Sequence, residues 1–184
     1  MGIIRSDFDN ELIALNLKFS TNLYITIYVV ENEVAKKCLI ERLRFLLNKL
    51  DMQVVELDIV SADRDDIHGP VVITDGKYHN EKPKWFKNSA FMLLIQNLEN
   101  LSVQNPDNLT KLNKLALYLP PVSGTPTGQV PINLDKSSSM AAIITESNLK
   151  SVSAIVRNLG SNAQQAIRVK KVRENSEGRW ERCP

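Results

Sequence analysis

The sequence predicts a three-layer α/β domain built on a mainly parallel five-stranded sheet. Three observations carry that expectation. Nearly continuous apolar runs at 23–30, 90–95 and 140–145 have the composition of strands buried on both faces. The first is followed by a long amphipathic segment with Val34, Cys38, Leu39, Leu43, Leu46, Leu47 and Leu50 at helical spacing. Strands alternating with helices in this order return each new strand parallel to its predecessors and leave helices on both faces.

Taken along the chain, residues 7–19 change from helical to alternating spacing (Phe8, Leu12, Ile13, Leu15, Leu17, Phe19), so a short helix leads into strand 23–30. The helix over 33–50 turns Lys37, Glu41, Arg44 and Lys49 to water. A second strand spans 52–60. Residues 71–78 read as a small hairpin turning at Asp75-Gly76, or as a short strand and loop set off by Gly69-Pro70. Strand 90–95 precedes a helix at 107–118, opened by Pro106 or Asp107. The stretch 120–136, with Pro121, Pro126 and Pro131 after Pro120, is too long for a turn and reads as a surface loop or insertion. Strand 140–145, a helix over 149–159 capped by Gly160, and strand 166–172 complete the domain. The expected organisation is a helical extension over 1–20, the α/β domain over 21–172, and a basic, mobile tail over 173–184.

Composition narrows the function classes. With 43% apolar and 24% charged residues over 184 positions, the chain can bury one sizeable core. A net charge of +2 does not by itself imply a nucleic-acid or membrane partner. The charge is unevenly placed: residues 168–184 hold six basic against three acidic side chains, and the rest holds 17 against 18. Cys38 and Cys183 form neither a disulfide framework nor a metal spacing, which implies a reduced, cytoplasmic protein. The N-terminus lacks the apolar core of a signal peptide, although Gly2 with Ser6 fits the loose myristoylation pattern. No apolar run reaches the ~18 residues of a membrane span.

The turn after the first strand is where phosphate would be held in a strand-turn-helix unit of the form G-x-x-x-x-G-K-[ST]. Laid on that pattern, Val30 and Ala35 occupy the glycine positions, Lys36 the lysine and Lys37 the hydroxyl. Met92-Leu93-Leu94-Ile95-Gln96-Asn97 has four apolar residues followed by amides where acids would hold Mg²⁺ and polarise water. Ala142-Ile143-Ile144-Thr145 ends a further strand in a polar residue. In their order and spacing over 20–172, these stretches resemble the core of the AAA+ and STAND branch of P-loop NTPases. The resemblance implies strand one in the centre of the sheet and strand two at an edge. It also implies a helical lid after strand five, for which 173–184 is too short. With Val30, Ala35, Lys37, Gln96 and Asn97 all departing from the motifs, it implies an inactive member without nucleotide, Mg²⁺ or catalytic residues. The opening 23–60 and Gly69-Pro70-Val71-Val72 also resemble the start of a thioredoxin-like domain, including that of circadian clock proteins, but no Cys-x-x-Cys accompanies them.

Other polar groups read as structural. Asp63, Asp65 and Asp66 fit a helix cap or solvated loop. His68 and His79 flank a turn without a matching acid at ligand spacing. Cys38 is expected to face the core. Ser123-Gly124-Thr125-Pro126-Thr127-Gly128 is followed by Gln, so it is no phosphate loop. The expected role is a non-catalytic interaction or assembly module that needs no cofactor or metal and works by protein contact or self-association. Two alternatives stand beside it: an unorthodox nucleotide-binding protein, and a nucleic-acid binder using the basic C-terminus. The candidate contact surfaces are the loop 120–136 and the set Arg168, Lys170, Lys171, Arg173, Arg179, Trp180 and Arg182, since Trp and Arg are enriched at binding hot spots.

Overall fold

The computed structural model describes residues 6–17, 24–119, 134 and 138–184. Gly2 and nearly all of the 120–136 loop lie outside the described residues. In chain order the elements are α1 (Asp7–Ala14), β1 (Ile25–Val30), α2 (Glu33–Lys49), β2 (Gln53–Asp58), α3 (Arg64–His68), β3 (Val71–Thr74) and β4 (Lys77–Asn80). They continue with β5 (Phe91–Gln96), α4 (Pro106–Ala116), β6 (Ser139–Thr145), α5 (Leu149–Arg157), α6 (Ser161–Gln165), β7 (Ile167–Glu174) and β8 (Trp180–Arg182). Short 3₁₀ turns, Leu98–Asn100 and Glu146–Asn148, follow β5 and β6.

The main sheet has the order β2-β5-β6-β1-β7-β8, and its first five strands are parallel. β1 is interior and β2 is an edge. Alternation along the buried strands divides the core in two. Ile25, Ile27 and Val29 point to the face covered by α4, α5 and α6, while Tyr28 and Val30 point to the face covered by α1 and α2. On α2 the stripe is Leu39, Leu43, Leu46 and Leu47, all fully buried and each contributing about 1.5–3 kcal/mol by removal from water. The Tyr28 hydroxyl donates to the Leu15 carbonyl and ties β1 to the end of α1.

Several sequence expectations are corrected. Among the described residues the sheet has six strands rather than five, because β8 pairs antiparallel with β7 through Val172–Arg182, Arg173–Glu181 and Glu174–Trp180. Residues after Arg173 are therefore not a mobile tail: they turn at Gly178 (φ 75°) and bury Trp180 to 3% exposure. Cys38 is exposed, as is Val34. At 3.6 residues per turn the four leucines share one face, Val34 falls almost opposite it and Cys38 well off it. Gly160 does not close α5. Its φ is −59°, it begins α6, and its N–H donates to Asn113 Oδ1 at 3.0 Å. β2 stops at Asp58, whose Oδ1 accepts from the Val60 and Ser61 N–H groups and turns the chain.

The hairpin forms as a separate two-stranded sheet. Asp75 (φ 51°) and Gly76 (φ 73°) supply the two left-handed residues that a tight two-residue turn requires. Gly69 (φ 78°) leads into it, where an added Cβ would lie 1.7 Å from the Glu81 carbonyl oxygen. Pro83 and Trp85 bury the chain again beyond the hairpin. The Trp85 indole donates to the Asp66 carbonyl at 2.7 Å and its ring meets Tyr118 edge-on at 5.1 Å.

Candidate functional site

In an open parallel sheet, a ligand crevice forms beyond the carboxyl ends of two neighbouring strands whose connections leave to opposite faces. β1 and β6 meet that condition. They pair in register to Val30–Thr145. β1 continues into α2 on one face, and β6 into α5 on the other. The residues around this point are the turn after β1, the start of α2, the end of β5 and the Glu146–Asn148 turn.

The turn between β1 and α2 is only Glu31-Asn32. Val30 is the last residue of a buried strand, 1% exposed, and Ala35, Lys36 and Lys37 are already helical. Two of the backbone N–H groups at the helix start, those of Ala35 and Lys36, are used internally. Asn32 caps the helix, its Oδ1 accepting from Ala35 N–H at 2.9 Å and its carbonyl from Lys36 N–H at 3.0 Å. Glu31 and Glu33 then place carboxylates at the positive end of the α2 dipole, where they stabilise the helix and repel an anion. Lys37 is exposed.

Lys36 reaches across the crevice to Glu99, with Nζ to Oε1 at 3.3 Å and side chains only 18% and 14% exposed. This is the contact that the sequence did not reveal. Glu99 lies three residues beyond the strand end, on the Leu98–Asn100 turn, and no motif position draws attention to it. Its other oxygen, Oε2, is buried and has no hydrogen-bond partner among the described residues. Lys36, Ile40, Leu94, Gln96, Asn97 and Ile143 surround a cleft of about 210 Å³. The structure therefore does bring Lys36, Gln96 and Asn97 together. The cleft falls below the ~300 Å³ at which small-molecule and cofactor pockets begin.

Asn97 has φ 61° and turns the chain out of β5 in a conformation Asn tolerates better than most residues. Its side chain is also spent. Burial would push the Asp58 carboxyl up, but hydrogen bonds from the Ser61 and Val60 backbones and the Asn97 and Ser61 side chains outweigh it and hold Asp58 below the ordinary carboxylate range. Across the crevice, buried Thr145 is hydrogen-bonded to Ser147 (Oγ to Oγ, 2.8 Å) and accepts from Asn148 Nδ2 at 3.2 Å. These groups satisfy one another.

No family model matches this chain, and neither the curated proteins nor the solved structures return a match. Geometry alone therefore bears on the site.

The basic C-terminal residues are dispersed rather than gathered. Arg168 stacks over Tyr24 at 4.1 Å and donates to the Gln165 and Ile167 carbonyls. Lys170 donates to Asn16 Oδ1 at 2.6 Å, and desolvation, with Arg182 nearby, lowers its pKa. Lys171 pairs with Glu146 at 3.5 Å, Arg173 with Glu181 at 2.8 Å, and Arg179 with Asp7 at 3.5 Å and with Glu177. Trp180 packs among Leu12, Leu15 and Tyr28, so it is a core residue and not a projecting anchor. Arg182 is exposed.

A second cleft of about 360 Å³ lies between α3 and α4, lined by Asp63, Arg64, His68, Asp107, Thr110 and Lys111 among others. Asp63 and Asp66 form a capping box that fixes α3, the structural role their spacing suggested. Desolvation, helped by Lys114 and Arg64, lowers the His68 pKa. Among the described residues, no three His, Cys, Asp or Glu side chains gather as a metal site.

Proposed function

We propose that this chain is a non-catalytic interaction or assembly module on an inactive P-loop NTPase-like fold. The observation that carries the reading is the Lys36–Glu99 pair. The one side chain retained from the phosphate-binding pattern is neutralised by a carboxylate of the same chain, in a cleft smaller than nucleotide pockets. A two-residue turn, a side-chain-capped α2 and flanking Glu31 and Glu33 support it. The AAA+-like assignment draws support from the parallel order, with β1 interior and β2 at an edge, and from Lys36, Gln96 and Thr145 sharing one rim. The nucleic-acid alternative has less support, because five of the six basic C-terminal residues are engaged within the chain.

Calorimetric titration with ATP and GTP, with and without Mg²⁺, tests the proposal. The expected result is no saturable heat for the native chain or for Lys36→Ala. Saturable Mg²⁺-dependent binding that Lys36→Ala abolishes would overturn it in favour of an unorthodox nucleotide site.

A further inference from the structure

The hairpin β3–β4 stands outside the main sheet and presents apolar side chains to water. Val71 is 40%, Ile73 62% and Tyr78 77% exposed. Alternation places all three on one face, since Ile73 lies opposite Tyr78. A two-stranded hairpin is marginal alone, and an uncovered apolar face adds to that.

The edges of the hairpin differ. Glu81 N–H donates to the Pro70 carbonyl at 2.9 Å, which makes 70–81 a hydrogen-bonded pair. The alternating antiparallel pattern then makes Val72–His79 and Thr74–Lys77 hydrogen-bonded as well. Val71 and Ile73 are left with N–H and C=O groups directed outward, and among the described residues no strand receives them. Natural edges are guarded by charge. β4 carries Lys77 and His79, β2 carries Glu56 and Asp58, and β8 carries Glu181 and Arg182. β3, Val71-Val72-Ile73-Thr74, carries none.

We propose that β3 is a self-pairing edge, occupied by β3 of a second copy lying antiparallel to it across a two-fold axis at Val72. The outward groups at positions 71 and 73 are symmetric about Val72, so an antiparallel copy satisfies all of them at once. Val71 then lies opposite the partner's Ile73 on one face, and the two apolar faces become continuous. An uncharged strand meets its own copy without like-charge repulsion, whereas an acidic segment would be drawn to the lysine on β4 instead. An isologous contact of this kind closes as a dimer. Four residues a side is a small interface, so a weak dimer is expected, with a Kd on the order of 100 µM. The inference rests on the reading that the chain works by contact; the nucleotide titration on the same preparation tests that reading separately.

Sedimentation equilibrium of the full chain up to about 500 µM provides the test. The native chain is expected to dimerise. Ile73→Lys should raise Kd at least about tenfold, because two cations then enter the junction. Val71→Glu combined with Ile73→Lys should return Kd to within about threefold of native, since each glutamate would face a lysine in this register. Should Ile73→Lys fail to fold by circular dichroism, Ile73→Pro removes only the outward N–H, is tolerated on an edge, and should likewise abolish pairing. A native chain that stays monomeric, a dimer that Ile73→Lys (or Ile73→Pro in its place) leaves intact, or a double variant no tighter than the single one would each overturn the proposal. An acidic peptide or nucleic acid as the true occupant would appear as the first of these.

Discussion

Glu11 on α1 and Arg42 on α2 meet as a two-pronged pair, the guanidinium Nε and Nη2 donating to the two carboxylate oxygens at 2.8 and 2.7 Å. The carboxylate side chain is 1% exposed and also accepts the Trp180 backbone N–H at 3.1 Å. One acid thereby joins the first helix, the second helix and the last strand. Removing one member of a buried, hydrogen-bonded pair leaves the other desolvated without compensation.

Glu11→Gln is therefore expected to destabilise the domain by about 2–4 kcal/mol. Urea unfolding followed by circular dichroism checks it, as a lower midpoint with an unchanged slope. A midpoint within error of native would mean that the pair contributes nothing net.

Trp180→Ala should cost about 3–5 kcal/mol, as for a large aromatic removed from a packed core. Truncation after Val172 should lower the unfolding midpoint still further, because it removes β8 together with Trp180. A truncated chain with native stability would show that the β7–β8 pairing is dispensable.

The cleft between α2 and the ends of β5 and β6 gives a sharper chemical test. Gln96→Asp alone is expected to restore no Mg²⁺ or nucleotide binding, because the Asn32-capped turn and the Lys36–Glu99 pair stay in place. Glu99→Gln should leave nucleotide binding absent as well. Calorimetry on both variants decides it, and metal-dependent binding by either would show that the rest of the site is intact.

Two pH dependences follow from burial. His68 has its folded-state pKa lowered from 6.5, chiefly by desolvation. Below that value the unfolded chain binds the proton more readily, so stability falls as pH drops from 6.5 through the folded pKa. His68→Gln should flatten this acid slope in the urea midpoint. Tyr118 behaves oppositely at the alkaline end. Burial pushes its phenol from 10.0 to about 12, and its hydroxyl donates to the Ile67 carbonyl at 2.9 Å. Its contribution is full below pH 10 and is lost as pH rises towards 12, where Tyr118→Phe should show a shallower decline.

The parallel strands were legible because burial on both faces leaves an almost uninterrupted apolar run, as in Ile25–Val30 and Phe91–Gln96. The Asp75-Gly76 turn was legible because few residue pairs accept two left-handed conformations. What escaped notice depended on distant partners. Trp180 sits in a polar, basic stretch and becomes core only because the fold brings it into the cluster that holds Leu12, Leu15 and Tyr28. The position of Glu99 opposite Lys36 follows from the β5–β6–β1 arrangement and not from any spacing. Cys38 and Gly160 are common residue types in common places, but the phase of α2 and an extra helix, α6, set their actual surroundings.

The Glu11–Trp180 contact spans 169 positions of sequence. A ribosome releases α1 early, yet the strand that seals it emerges only after every other described element of the fold. Until then α1 can dock on α2 and β1 through Arg42 and Tyr28, but its carboxylate lacks its last donor and the apolar wall lacks its indole. Closing so long a loop costs entropy that only the completed pairing returns. The order of synthesis thus makes joining the two ends of the domain a late event, and a nascent chain halted before Trp180 would hold its α1 face open to whatever chaperone or partner meets it first.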